Sequence, residues 1–153
     1  MRANDTLGPW GLAVLRVVVG FVFLMHGWQK LFEMGVGNVG AFFGSLGIPA
    51  AALAAVVVSL VEVVGGAALV LGVGTRVAGA ALALDMLGAI FFVHHKNGFW
   101  VSDGGVELVL VLAAAALCLA LTGPGALSLD RFLGLGRGSA SAAVPGRAVA
   151  SAA

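Results

Sequence analysis

Four ionisable side chains, Arg16, Glu62, Asp85 and Glu107, lie inside or at the edge of long apolar stretches. A charge within hydrocarbon costs at least ~2.5–3.5 kcal/mol on insertion scales, so each needs a partner or a purpose. A guanidinium with two carboxylates can lock helices together, build a proton-handling pocket or line a substrate path. A second set, His26, Lys30, His94, His95 and Lys96, gathers toward the other ends of the same stretches. His26 and Lys30 are i,i+4 neighbours on a helix. Imidazoles near a carboxylate can relay protons, hydrogen-bond a quinone carbonyl or ligate a metal. His94-His95 is a poor metal motif, because adjacent helical residues point about 100° apart. No metal site is expected, and an interfacial hydrogen bond is the simpler fate for each ring. Cys118 has no second cysteine and no activating charge nearby in sequence, so an inert thiol is expected there.

The elements that must position these groups are membrane helices. Residues are 61% hydrophobic and only 10% charged, too few polar side chains to cover a water-facing surface. The net charge of +1 gives no electrostatic case for nucleic acid. One cysteine excludes an internal disulfide framework and a Cys-rich metal site. Four apolar stretches, roughly Gly11–Phe32, Ala50–Val73, Val77–His94 and Val106–Leu121, approach the ~20 residues needed to cross ~30 Å of hydrocarbon. The first carries Arg16 and is followed by His26-Gly27-Trp28-Gln29-Lys30, which reads as a span and not as a cleaved leader. The expected fold is all-α, an integral membrane four-helix bundle. Between helices one and two, Ala41-Phe42-Phe43-Gly44-Ser45-Leu46 is apolar but too short to span, so a short interfacial or re-entrant helix is expected there.

Helical spacing assigns the charges to faces. Arg16, Gly20, Phe23, Gly27 and Lys30 share one stripe of the first helix. Glu62 shares a face with Ala51, Ala55, Ser59 and Gly66, Asp85 with Ala78, Ala81 and Ala89, and Glu107 with Val111, Ala114 and Cys118. Small residues mark the faces on which membrane helices pack, so all four faces are expected to line the interior. At ~1.5 Å per residue, Arg16 lies about 8 Å from the basic side, Asp85 about 12 Å and Glu62 about 17 Å. Consecutive helices are usually adjacent, which makes an Arg16–Glu62 ion pair the expected contact. One base and two acids leave one carboxylate without a partner.

The connecting segments set the topology. Gly72-Val73-Gly74-Thr75-Arg76 is a tight turn, and the 95–105 segment holds the turn formers Asn97-Gly98 and Asp103-Gly104-Gly105. Arg2, Arg76, Arg131, Arg137 and Arg147 fall on one side of the spans and Lys30 and Lys96 on the other, which places both termini in the cytoplasm. Trp10, Trp28 and Trp100 fall near helix ends, as an interfacial aromatic belt requires. Residues 1–135 read as one domain, and the Gly, Ser, Ala and Arg run over 136–153 as a disordered tail.

The ordered motifs resemble the DoxX family of small membrane proteins. They are Arg16…Gly20…Phe23…His26-Gly27-x-x-Lys30, Phe42-Phe43-x-x-Leu46-Gly47-Ile48-Pro49 and Glu62…Gly65-Gly66…Leu71-Gly72 with Thr75-Arg76. His94/His95…Asn97-Gly98-Phe99…Gly104-Gly105-x-Glu107 and Gly123-Pro124-Gly125…Ser128-Leu129-Asp130 follow in order. The resemblance covers nearly the whole chain to Asp130. It implies a multi-pass, four-helix plasma-membrane protein. It also implies kinship with a subunit of a thiosulfate:quinone oxidoreductase and with membrane partners of redox enzymes in oxidative-stress protection. Arg16, His26, Lys30, Glu62 and Glu107 match the pattern; Asp85 lies outside it. No flavin, haem or dithiol motif is present, so a redox activity would borrow its centre from a partner protein or a quinone. Three functions stay open: a redox-complex subunit with a polar intramembrane pocket, a small transporter or permeability factor, and a scaffold without substrate. The partners implied are the bilayer and a redox enzyme, with self-association into a homo-oligomer left open.

The charge asymmetry predicts a measurable topology. Reporters fused after Arg131 should signal the cytoplasm, and reporters placed near Val36 or Asp103 the opposite face. A cytoplasmic signal from the 95–105 turn would overturn the four-span arrangement.

Overall fold

The computed structural model describes residues 3–133, and the tail expected over 136–153 lies outside them. Helix α1 (Ala3–Trp28) widens at its end into a π-helical turn, Gln29–Glu33, and a short helix α2 (Val36–Ser45) follows. Helices α3 (Ala51–Leu71) and α4 (Thr75–Ala89) form an antiparallel hairpin across Gly72-Val73-Gly74. Helix α4 runs on through a second π turn, Ile90–His94, and a 3₁₀ turn, His95–Asn97. A further 3₁₀ turn, Val101–Asp103, leads into α5 (Glu107–Thr122), and the short α6 (Leu129–Phe132) ends the described chain. No strand occurs among the described residues.

Three of these segments, Leu7–Glu33, Ala51–Leu71 and Thr75–Asn97, are long and apolar enough to cross a membrane. Helix α5 is apolar but has 16 residues and rises only about 24 Å, less than any of these three segments. Their outward faces carry large apolar side chains such as Val14, Phe21, Leu53, Val64, Leu84 and Leu117, as a lipid-facing surface requires. The expected short helix between the first two spans is α2; its 10 residues rise about 15 Å, half of what a span needs.

Small residues set which helices touch. Helix α1 packs chiefly on α3, and α4 on α5, while α3 also meets α4 and carries α2 on its N-terminal half. A Cβ on Gly66 would lie 2.6 Å from the Leu24 amide nitrogen, and one on Gly20 2.7 Å from the Gly66 carbonyl oxygen. One turn on, a Cβ at Gly27 would lie 2.7 Å from the Val63 nitrogen. The α1 and α3 backbones are therefore in direct contact, as small residues permit between membrane helices. Val19, Phe23, Leu69 and Leu82 fill the core beside this contact, together with Leu112, Ala116 and Leu119 from α5. Helix α2 seats Val39 and Phe43 against Ala55 in a second, smaller cluster.

Helix α5 departs from expectation. Its Glu107, Val111, Ala114 and Cys118 stripe faces outward, and Val109, Leu112, Ala113, Ala116 and Leu119 are buried instead. The helix is apolar all round, so no polar residue marks its inner face, and small size alone did not discriminate. The fit against α4 decides: the Ala116 carbonyl sits where a Cβ on Gly79 would be 2.7 Å away.

The α1–α3 contact predicts a sharp difference between two glycines. Gly66→Leu should lower stability by on the order of 1–3 kcal/mol or more, because the side chain must push α1 off α3. Gly88→Ala should leave melting unchanged or raise it slightly, since nothing lies within 4 Å of a Cβ there and alanine favours the helix. Thermal melts of the purified protein in detergent check both; equal melting of the two variants would refute the backbone contact.

Candidate functional site

The polar residues of the spans divide between two ends of the bundle. At the end holding the α3–α4 turn, Arg16 is buried, 2% exposed, and its Nη2 donates to the Leu127 carbonyl at 3.0 Å. Its guanidinium lies over Gly72, the residue that ends α3 with φ +70°, where any larger side chain would occupy the Nη1 position. The negative end of the α3 macrodipole faces it there. The expected Arg16–Glu62 ion pair is therefore absent, and no carboxylate lies within ion-pair distance of Arg16 among the described residues. The physical reason is reach. Arg16 sits level with the end of α3, while Glu62 lies ten residues, about 15 Å, back along that helix.

The segment following α5 closes this end. The Asp130 carboxylate accepts from the Gly74 and Thr75 amides, 2.8 and 3.1 Å, and so caps the start of α4 from 55 residues away in sequence. The Ala126 amide donates to the Pro9 carbonyl and the Asp130 amide to the Gly72 carbonyl. Arg76 donates to the last carbonyls of α5, with Leu121 O at 2.7 Å. Asp130 and Arg76 both stood in the family-like motif, yet nothing in their local sequence indicated these long-range caps.

The other half of the bundle encloses a cavity of about 660 Å³. Lys30, from the first π turn, donates from Nζ to Glu62 Oε2 at 2.6 Å, and Glu62 is 2% exposed. Glu62 lies eleven residues into α3, about 16 Å from its start. The Gly27 approach makes the pairing possible, because a Cβ at Gly27 would fall 2.9 Å from the Glu62 Cβ. Asp85 lines the same cavity from α4, and its Oδ2 is buried without a hydrogen-bond partner among the described residues. His26 lines it one turn before Lys30. His94, in the second π turn, lines it near the opposite rim, with Nδ1 2.6 Å from the Gly104 carbonyl. A carbonyl can only accept, so Nδ1 carries the proton in this contact, which leaves Nε2 of the uncharged tautomer as an acceptor. Both π turns thus border the cavity, and such turns recur at functional sites.

The structure brings five of the eight expected site residues to this cavity: His26, Lys30, Glu62, Asp85 and His94. Three stand apart. Arg16 belongs to the opposite end. His95 is exposed and stacks on Phe91. Glu107 accepts from the Val101 amide at 2.9 Å and pins the loop above the cavity instead of entering it. The apolar walls, among them Phe42, Phe43, Val58, Phe92 and Leu112, were not singled out by chemistry and come from packing alone. No group of three His, Cys, Asp or Glu side chains close enough to hold a metal ion occurs among the described residues.

The sequence profile of the DoxX family matches residues 11–95, which carry α1 to α4 and most of the cavity. A Bacillus subtilis (strain 168) protein named "Putative oxidoreductase CatD" is 37% identical over 89 residues, 58% of this chain and 63% of that protein. An uncharacterized Haemophilus influenzae protein is 36% identical over 114 residues, covering 72% of this chain and 81% of the relative. An uncharacterized membrane protein of Mycobacterium tuberculosis is 37% identical over 106 residues, 61% of this chain and 63% of the relative. The chain thus spans less than two thirds of the length of the first and third of these. No solved structure matches it. The chain belongs to the DoxX family.

The Lys30–Glu62 geometry predicts non-additive mutants. Removing Lys30 alone, by Lys30→Met, should cost about 3–5 kcal/mol because it strands the buried Glu62, and Glu62→Leu should cost less because Lys30 is partly exposed. The double variant should recover most of that loss, because replacing a buried ion pair by apolar side chains of similar volume is often neutral. A double-mutant cycle read by thermal melting measures the coupling; additive losses would exclude a direct pair.

Proposed function

We propose that this DoxX-family membrane protein is the membrane-embedded subunit of a redox system, and that its cavity holds the head of a quinone. The observation that carries this reading is a largely apolar cavity inside the spanning helices, with the Lys30–Glu62 pair and Asp85 on its wall. Its size lies within the range of small-molecule sites, and its lining is apolar with a few convergent polar groups. A water-soluble metabolite would lose its hydration in such a place. A ring with two carbonyl oxygens asks for a few donors and otherwise for apolar contact.

The chain's own residues match both redox states of such a head. Lys30 has two N–H groups beyond the one given to Glu62 and can donate to a carbonyl oxygen. His94 keeps Nε2 free to accept from a hydroxyl, and Asp85 Oδ2 can do the same. His26, Glu62, Asp85 and His94 also give protons places to rest between the cavity and the loop side. Reduction of a quinone consumes two electrons and two protons. The electrons would come from a partner enzyme, in keeping with the oxidoreductase name of the Bacillus relative. We place the protein in the plasma membrane with both termini cytoplasmic, which puts the cavity in the outer half of the bilayer. The basic residues Arg76 and Arg131 support that orientation.

Titration of the purified protein with a decyl-tailed benzoquinone tests the reading. Wild type should bind it, and the Lys30→Met/Glu62→Leu double variant at least tenfold more weakly while still melting near the wild-type temperature. Equal affinity of the two proteins would sink the assignment, as would an absence of binding.

A further inference from the structure

We infer that the cavity is reached sideways from the bilayer, through the gap between α2 and α4. Its ligand is then an amphiphile whose tail stays in lipid while its head meets Lys30, Glu62 and Asp85. This rests on the cavity being a ligand site and adds the route and the class of molecule that can use it.

The gap follows from which helices pack. Helix α2 lies on α3 and the π turn after α1, and α4 lies on α3 and α5, while α2 and α4 share no packed interface. Between them the α3 stripe of Ala54, Val58 and Glu62, spaced four residues apart, lines the cavity floor, with Ala54 and Val58 also packed against the Val39, Phe43 and Ala55 cluster. The rim is apolar on both sides. Phe42 of α2, 45% exposed, and Leu84 and Phe92 on the α4 side, 68% and 37% exposed, line the cavity and also face the outside of the bundle. Leu84 adjoins Asp85, so the opening reaches the depth of the buried acids. An opening with such a rim, at that depth, meets acyl chains and not water.

On the water-facing side a loop lies over the cavity and contributes Val101, Gly104 and Gly105 to its lining. The loop over the cavity is tied by the Val106 amide to Gly98 O, the Glu107 amide to Phe99 O and the Glu107 carboxylate to the Val101 amide. His94 ties the Gly104 carbonyl to the wall below. A ligand admitted only from lipid must partition there, and a cavity with charges at depth selects one with a polar head. Gly88 lies in the wall of this space, and nothing stands within 4 Å of a Cβ built on it. A bulky side chain there should fill the opening without disturbing the helix contacts.

Full-length protein in lipid nanodiscs tests the route. In Gly88→Phe, association of the decyl-tailed benzoquinone should slow at least tenfold, with melting unchanged. Unchanged association would overturn the lateral route. A second measurement is independent of any quinone. A nitroxide at Val58→Cys, in a Cys118→Ala background because Cys118 is exposed, should collide with oxygen dissolved in the bilayer. It should not collide with a water-soluble nickel chelate. Collisions with the nickel chelate would place the mouth in water and overturn the inference. If the quinone binds neither protein, the ligand reading fails and the nitroxide alone decides the route.

Discussion

A carboxylate about 16 Å along an apolar helix is costly to leave unpaired, and the cation that meets Glu62 organises the bundle. Glu62 cannot turn to water without unseating α3, so the cation has to come from a neighbouring helix. Lys30 supplies it, but only because glycine at positions 20, 27 and 66 lets α1 lie against the α3 backbone. With larger residues the helix axes would separate by a few ångströms, and the ammonium would fall short of a 2.6 Å contact. The π turn at Gln29–Glu33 adds to the fit, since an inserted residue rotates the side chains that follow it. With α1 committed to one side of α3, α2 settles on the N-terminal half of that helix. The α4–α5 pair occupies the remaining side, and the cavity is the space these placements leave open.

The opposite end shows the same physics solved by closure. Helix ends leave four amides or four carbonyls unpaired, and at this end three helix termini converge. Asp130 meets the amides that start α4, Arg76 meets the carbonyls that end α5, and Arg16 lies against the end of α3. Each charge sits where the local dipole has the opposite sign. The result is a fastened end facing a hollow one. Buried charge therefore has two meanings in this protein, and depth within a span does not separate them.

Much of this was legible in the sequence, for identifiable reasons. Span positions follow from apolar length, and the inner stripes of α1 and α3 follow from glycine and alanine at helical spacing around Arg16, Lys30 and Glu62. The α2 helix followed from Phe42 and Phe43 needing apolar surroundings in a segment too short to span. The pairing of charges was not legible, because it depends on the longitudinal offset of two helices. An error of a few residues in that offset exchanges Arg16 for Lys30 as the partner of Glu62. The inward face of α5 was hidden because every face of that helix is apolar. The role of Asp130 was hidden because it is set by a turn 55 residues earlier in the chain.

Helix order alone does not account for the hollow end. An ion pair that only fixes packing needs two matched groups and tight walls. Lys30 and Glu62 would satisfy that requirement by themselves, and well-packed apolar residues could often replace them without loss. Here a second acid, Asp85, lines the same space with one oxygen unpartnered, and His26 and His94 line it as well. Leaving a buried polar atom unpaired costs on the order of 1–3 kcal/mol. A cavity of about 660 Å³ adds lost packing contacts to that cost. At the other end charged groups are fastened to backbone partners, although Arg16 Nε, Arg16 Nη1 and Thr75 Oγ1 stay unpartnered there as well. What sets the hollow end apart is that two carboxylates, a lysine and two imidazoles line one largely apolar cavity.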